Sequence, residues 1–191
     1  ATPFLQQPFR LGADIVVHSL TKYVNGDSAS IGGSALGPFA FMQEEVFPLY
    51  KDFGPTPSPF DAWLNGLCIQ TLGQRMRAHC ASALEVARFL QAHPRVQQLW
   101  YPGLPSHPDH VVASAQMRGG GGMIAFDLDG GQDPAVRLMN YFGRHDTPME
   151  LAVSLGSAVS YIQHPASMTH SGVPQEDRLQ RGITDSLVRL S

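Results

Sequence analysis

Three patterns in the 191-residue sequence predict an α/β fold, made of the end of a mainly parallel sheet and a smaller α+β domain. The first is the apolar run Ile15-Val16-Val17, which suits a strand buried on both faces of a parallel sheet. The second is a long amphipathic helix over residues 74–92. The third is an alternation of short strands and helices beyond Pro94.

The first 73 residues are predicted to hold the end of the larger sheet and the helices that follow it. Residues 1–37 form a loop, the apolar strand, a polar loop and a second strand at 30–36. Helical spacing follows over residues 39–53, and a further helix is predicted from 60 to 73. Between them stand Pro55, Pro57 and Pro59. They exclude a regular element there, because proline cannot sit inside a helix or a central strand.

A smaller α+β domain is predicted for residues 74–191, with the boundary near residue 73. Its first helix, 74–92, has a single apolar stripe, and Pro94 ends it. The stripe consists of Met76, Cys80, Ala83, Leu84, Ala87 and Leu90. Strands are predicted at 96–101, 123–128, 151–155 and 187–190, and helices at 108–117, 134–142 and 174–181. This order is typical of a sheet covered by helices on one face.

Lys22 is the main candidate catalytic residue. The apolar strand changes abruptly to Ser19, Thr21 and Lys22, and open α/β sheets bind ligands at the carboxyl ends of their strands. Two hydroxyl groups can bind a phosphate, and a partly desolvated lysine can attack a carbonyl carbon to form a Schiff base. On these residues alone, a solvated lysine in a loop is the alternative interpretation.

The segment VHSLTKY resembles the lysine segment H-S-x-T-K-[YF] of the Cys/Met metabolism family of pyridoxal 5'-phosphate (PLP) enzymes. Further segments resemble that family in the same order along essentially the whole chain. They are ATPFLQ, SPFDA, RMRAHC, YPGL, SLG, QHPASMTH and LVRLS. One departure is the sequence Gly26-Asp27-Ser28-Ala29, where the family commonly has G-H-x-D.

The resemblance implies an aspartate aminotransferase-like fold of type I and a set of site residues. It implies that Lys22 holds PLP as a Schiff base and moves protons, while Ser19 and Thr21 bind the cofactor phosphate. Arg189 matches the arginine that binds the substrate carboxylate, and Ser154 matches a serine in the same carboxylate site. A planar guanidinium fits two carboxylate oxygens in a way that lysine cannot. No metal site is expected.

The implied activity is elimination that breaks a C–S bond at the γ-carbon of methionine or cystathionine. The sequence Ala29-Ser30-Ile31-Gly32-Gly33 also resembles enzymes that carry out γ-replacement, so homoserine-ester sulfhydrylation or cystathionine γ-synthesis is the alternative. A third possibility is a catalytically silent copy that acts as a folded, partner-binding module.

Composition narrows the classes of partner. Thirteen basic residues stand against sixteen acidic ones without long like-charge runs, which argues against nucleic-acid and membrane-surface binding. Cys68 and Cys80 lie inside helical patterns and are expected to be unbridged. No signal peptide or membrane-spanning run is evident, and a cytoplasmic location is expected.

The resemblance also predicts that the chain is the C-terminal half of a longer enzyme. In the family, an upstream aspartate pairs with the pyridine nitrogen and an upstream tyrosine stacks on the ring, and neither precedes Lys22 in the expected place. The complete enzyme is expected to be a homotetramer, a dimer of dimers. Residues 1–191 alone are expected to be inactive.

Overall fold

The computed structural model describes residues 2–144 and 146–191. Ala1, the first residue of the ATPFLQ segment, lies outside the described residues. The chain forms a two-stranded sheet, a series of helices and a five-stranded sheet. None of the helices in the described part of the chain combines the length and the apolar composition that crossing a membrane requires.

The strand before Lys22 is confirmed, and within the described residues only one of its faces is covered. Strand β1, Val16–Ser19, pairs with β2, Gly33–Leu36, in an antiparallel ladder. Successive side chains point to opposite faces of a strand. Val16 is therefore buried, whereas Val17 on the other face is 74% exposed. The second strand also begins later than predicted, because the chain around Ser30 is held in the polar loop by side-chain hydrogen bonds.

The helices between the two sheets follow the predicted order with shifted bounds. They are α1, Phe39–Phe41; α2, Phe47–Phe53; α3, Pro59–Cys68; and α4, Leu72–Gln91. A π-helical turn, Met42–Val46, joins the first two. Helix α3 begins where predicted because the Ser58 hydroxyl accepts a hydrogen bond from the Asp61 backbone N–H, as an N-cap does. The predicted helix 60–73 instead ends at Cys68, where a 3₁₀ turn, Ile69–Thr71, precedes α4.

The five-stranded sheet has the order β3-β4-β7-β6-β5. Its strands are β3, Val96–Trp100; β4, Ile124–Leu128; β5, Met149–Leu151; β6, Ser160–Gln163; and β7, Leu187–Leu190. The helices among them are α5, His110–Gln116; α6, Gln132–Arg144; and α7, Gln175–Gln180. Two predictions were wrong here. The strand predicted at 151–155 ends at Leu151, and β6 was not predicted.

Two hydrophobic clusters meet along α4. Its first turns contribute Leu72 and Met76 to a cluster with Leu5, Tyr23 and Val24. Its later turns contribute Ala83 and Ala87 to the core between the five-stranded sheet and α6. The domain boundary near residue 73 stays a prediction.

Replacing Ile124 by alanine should destabilise the larger core. Ile124 is 2% exposed on β4, which lies between β3 and β7. Truncation of such a side chain removes buried apolar surface and leaves a cavity, at a cost of about 2–5 kcal/mol. We expect a lower urea midpoint for Ile124→Ala by circular dichroism. Val111→Ala, at an 80% exposed position on α5, is the control and should stay within about 0.5 kcal/mol of wild type. Equal midpoints for the two variants would contradict this packing.

Candidate active site

Lys22 lies in a π-helical turn, Leu20–Val24, directly after β1. The turn is tied to the start of β2, because the Leu20 backbone N–H donates to the Gly32 carbonyl oxygen at 2.9 Å. The Lys22 side chain is half-buried, and its Nζ donates to Ser154 Oγ at 3.2 Å. Within the described residues this ammonium group has no carboxylate in ion-pair distance. Lys22 thus presents an amine that no acidic side chain of residues 2–144 and 146–191 pairs with.

The two hydroxyls predicted for phosphate binding differ in their surroundings. Ser19 ends β1 with an exposed side chain. Thr21 Oγ1 accepts from the Gly32 backbone N–H at 2.9 Å and donates to the Gly32 carbonyl oxygen at 3.3 Å. The Thr21 hydroxyl therefore also joins the lysine turn to β2. The phosphate-binding roles of Ser19 and Thr21 stay predictions.

Arg189 lies on β7, between β4 and β6. Its Nη2 donates to the carbonyl oxygens of Val153 at 3.2 Å and Ser154 at 3.3 Å. Burial lowers the pKa of Arg189, and the neighbouring Tyr23 partly offsets that effect. No acidic side chain forms an ion pair with Arg189 within the described residues. A half-buried guanidinium without an anion is suited to bind a ligand carboxylate.

Ser154 connects the lysine and the arginine. Its hydroxyl contacts Lys22, and its carbonyl oxygen contacts Arg189. Lys22, Ser154 and Arg189 are therefore brought together, although Ser154 is 132 positions from Lys22 and 35 positions from Arg189 in the sequence. Ser154 lies in the loop after β5 rather than in a strand, so its position depends on these contacts.

Gln163 is a site residue that the sequence analysis did not assign. It pairs with Arg189 across the β6–β7 ladder and is 1% exposed. With its amide oxygen facing the guanidinium, that oxygen lies 2.6 Å from Nε, 3.1 Å from Nη1 and 2.9 Å from Nη2 of Arg189. The only indication of Gln163 in the sequence was its place as the first residue of the QHPASMTH segment. Gln163 orients the arginine without cancelling its charge.

The neighbouring His164 is hydrogen-bonded at both of its ring nitrogens. It is fully buried, and its Nε2 lies 2.9 Å from the Asp185 carbonyl oxygen. Its Nδ1 lies 2.8 Å from Ser167 Oγ. A neutral imidazole that donates through Nε2 and accepts through Nδ1 satisfies both contacts. Both ring nitrogens are occupied, so His164 holds this segment in place.

The aromatic rings of Tyr23 and His79 pack against each other beside the lysine turn. Their rings meet edge to face with centroids 5.3 Å apart. Burial raises the pKa of Tyr23, and the Gly122 backbone N–H partly offsets this effect. Burial lowers the pKa of His79, with a further contribution from the Arg75 charge. Both side chains are therefore neutral at pH 7, so the cations of the site remain those of Lys22 and Arg189.

The other titratable side chains that the structure describes form no candidate metal site. In residues 2–144 and 146–191, no group of three or more histidine, cysteine, aspartate or glutamate side chains could hold a metal ion. Cys68 and Cys80 are both free thiols, as expected, and each is half-buried.

The profile of the family described as "Cys/Met metabolism PLP-dependent enzyme" matches residues 1–191. The chain belongs to this family. Cystathionine beta-lyase of Coxiella burnetii is 43% identical over 192 residues, which cover all of this chain and 49% of that relative. L-methionine gamma-lyase of Pseudomonas deceptionensis is 47% identical over 194 residues, which cover all of this chain and 47% of that relative.

Solved structures confirm the fold class. The crystal structure of cystathionine gamma synthase from Xanthomonas oryzae pv. oryzae, in complex with aminoacrylate and cysteine, matches with a TM-score of 0.90. Sequence identity is 43%, and the match covers all of this chain and 48% of that one. The chain has the aspartate aminotransferase-like fold of type I predicted from its sequence. It spans about half the length of the relatives it matches.

Pyridoxal 5'-phosphate is the cofactor of this family, and the residues present fit it. The cofactor needs an amine for its aldehyde, donors for its phosphate and space for an amino acid beside it. Lys22 offers an amine whose charge is not paired with an acid among the described residues. Ser19 offers an exposed hydroxyl three residues away. Arg189 offers a cation for the carboxylate of the amino acid.

Proposed function

We propose that the complete protein containing this chain breaks a C–S bond at the γ-carbon of a methionine-type amino acid, with PLP as cofactor. One observation carries the proposal. The Lys22 amine and the Arg189 guanidinium both contact Ser154, one at its hydroxyl and the other at its carbonyl oxygen. A proton-transferring amine and a carboxylate-binding cation are thereby fixed beside each other, as α-amino acid chemistry requires.

Each side chain has a specific task in this proposal. When bound, PLP supplies the electron sink for negative charge at the substrate α-carbon. Arg189 binds the α-carboxylate and sets the orientation of the substrate. Lys22 Nζ takes the proton from the α-carbon, and the Ser154 hydroxyl steers that amine through their hydrogen bond. Ser19 and Thr21 hold the phosphate of the cofactor.

Elimination from methionine is the preferred reaction among several that the family carries out. The 47% identity to a methionine gamma-lyase supports it. The run Ala29-Ser30-Ile31-Gly32-Gly33 and the 43% identity to a cystathionine gamma synthase favour γ-replacement as the second candidate. The two reactions differ in what enters at the γ-carbon after the leaving group departs.

A product analysis tests the proposal. The PLP-loaded complete protein should convert L-methionine and water into methanethiol, α-ketobutyrate and ammonia. With O-acetylhomoserine and cysteine, a γ-replacement enzyme would instead form cystathionine and acetate. Cystathionine as the main product would transfer the assignment to the second candidate. A protein that takes up no PLP and converts neither substrate would support the non-enzymatic, partner-binding alternative.

Residues 1–191 alone should not turn over methionine. Residues 1–191 contain Lys22 and Arg189, but they do not contain the aspartate that in the family precedes the lysine and pairs with the pyridine nitrogen of PLP. Val17, Ile31 and Phe39 are 74%, 85% and 80% exposed, so further polypeptide is needed to cover this apolar surface. We expect the complete protein to be a cytoplasmic dimer of dimers. Methanethiol release by purified residues 1–191 with PLP would contradict this prediction, and light scattering of the complete protein checks the assembly.

A further inference from the structure

Lys22 has a backbone conformation that its own turn does not explain. Its φ of −94° and ψ of −132° lie outside the helical region, although the surrounding Leu20–Val24 segment forms a π-helical turn. A residue keeps such a conformation only when its surroundings hold it there. The contacts made by the backbone that follows Lys22 show which residues hold this conformation.

Arg75, on α4, binds the carbonyl oxygens directly after the lysine. Its Nη1 donates to the Tyr23 carbonyl oxygen at 2.5 Å, and its Nη2 donates to that of Val24 at 2.9 Å. The same guanidinium reaches the end of α3, through a bond from Nη2 to the Cys68 carbonyl oxygen at 2.9 Å. Its Nε donates to Thr71 Oγ1 at 3.1 Å. Arg75 thus connects the lysine turn to the helices.

These contacts are specific to arginine. The acceptors are backbone and hydroxyl oxygens, and no carboxylate forms an ion pair with Arg75 within the described residues. Three carbonyl oxygens in different directions require the planar fork of a guanidinium, which a lysine ammonium cannot reproduce. Gly26, at φ +76°, leaves the necessary space, because a β-carbon there would collide with the Arg75 guanidinium. The lysine turn is shaped around this side chain.

The peptide group between Lys22 and Tyr23 packs against Gly156. A β-carbon at Gly156 would lie 2.6 Å from the Tyr23 backbone nitrogen and 2.9 Å from the Lys22 carbonyl carbon. Gly156 has a φ of +87° and follows Ser154 by two residues. The backbone after Lys22 is therefore held at two successive places, by Gly156 at the Lys22–Tyr23 peptide group and by Arg75 at the carbonyl oxygens of Tyr23 and Val24.

We propose that Arg75 is a positioning residue for Lys22. It touches no reacting atom. By holding the Tyr23 and Val24 carbonyl oxygens, it fixes the backbone that follows Lys22, and together with Gly156 it keeps Lys22 Nζ at Ser154. The inference rests on the proposed function, because it assigns Arg75 to the same lysine.

Arg75→Lys in the complete, PLP-loaded protein tests this role. The variant keeps the positive charge but loses the fork, so Lys22 should lose its fixed orientation. We expect kcat for methionine to fall roughly 10- to 100-fold, the effect of a small misplacement of a reacting group. KM should change less than threefold, because Arg189 is untouched. Two readouts do not depend on turnover: the rate at which borohydride fixes PLP on the Lys22 peptide, which should fall, and the pH midpoint of the visible absorbance band, which should shift.

Arg88→Lys is the matched control, since Arg88 is exposed on the same helix. It should leave all of these values unchanged. The proposal is overturned if Arg75→Lys keeps the wild-type kcat, trapping rate and band midpoint. It is also overturned if Arg75→Lys fails to fold, because the contacts would then serve the fold as a whole. If wild type carries PLP on Lys22 but does not cleave methionine, the proposed reaction fails, while trapping and absorbance still decide the role of Arg75.

Discussion

Lys22→Ala should abolish both the visible absorbance band of bound PLP and the turnover of methionine in the complete protein. The amine of Lys22 is the only group in our proposal that attaches the cofactor covalently and also moves the substrate α-proton. Loss of an attacking group and a proton-transfer group together removes several orders of magnitude in kcat. Absorbance spectra and methanethiol release measure the two effects independently.

The sequence makes this experiment easy to control. Lys22 and Lys51 are the only lysines among the 191 residues. Lys51 is exposed on α2 and contacts no site residue described above. Borohydride reduction of the complete protein should add PLP to the peptide that contains Lys22, because our proposal attaches the cofactor to that amine, and Lys51→Ala should behave like wild type. A Lys22→Ala protein that kept the band and the activity would refute the assignment.

Sequence patterns were sufficient to predict the elements that depend only on neighbouring residues. The strand before Lys22, the start of α3 and most of the alternating elements after Pro94 depend on nearby residues, and the structure contains them. The burial of Val17 could not be obtained in this way. An apolar side chain in a strand shows that it can be covered, but the packing of the chain decides which face is covered.

The contacts between distant segments were the part that the sequence did not reveal. Lys22, Ser154 and Arg189 were each assigned through resemblance to a family, and the structure brings them together. Arg75 and Gln163 lie in segments that were recognised, RMRAHC and QHPASMTH, but their partners are backbone oxygens and a guanidinium elsewhere in the chain. Such partners have no signature in the sequence, because any residue type can supply a carbonyl oxygen.

The positions of their acceptors give Arg75 and Arg189 different tasks. Both guanidinium groups have only neutral acceptors among the described residues. Those of Arg75 lie on the lysine turn and at the ends of the neighbouring helices. Those of Arg189 are the oxygens of Val153, Ser154 and Gln163, on the side of the site where Ser154 also contacts Lys22. Arg75 is therefore assigned to position Lys22, and Arg189 to bind substrate.

Arg189→Ala should therefore weaken substrate binding while PLP stays bound. Alanine removes the charge, the paired hydrogen bonds to two carboxylate oxygens and the bonds that Gln163 accepts. Breaking a buried, hydrogen-bonded charge pair costs about 2–5 kcal/mol. We expect kcat/KM for methionine to fall by a corresponding factor of roughly 30 to several thousand, mainly through KM. The visible band should be unchanged, because Lys22 remains.

Methionine amide isolates the carboxylate contact. It lacks the negative charge that Arg189 binds, so wild type should prefer methionine to its amide strongly, and Arg189→Ala should lose most of that preference. Arg181→Ala, at an exposed position between α7 and β7, should keep the wild-type preference. Equal use of methionine and its amide by wild type would show that Arg189 does not bind the carboxylate. The substrate would then have to be oriented by other residues of the complete protein.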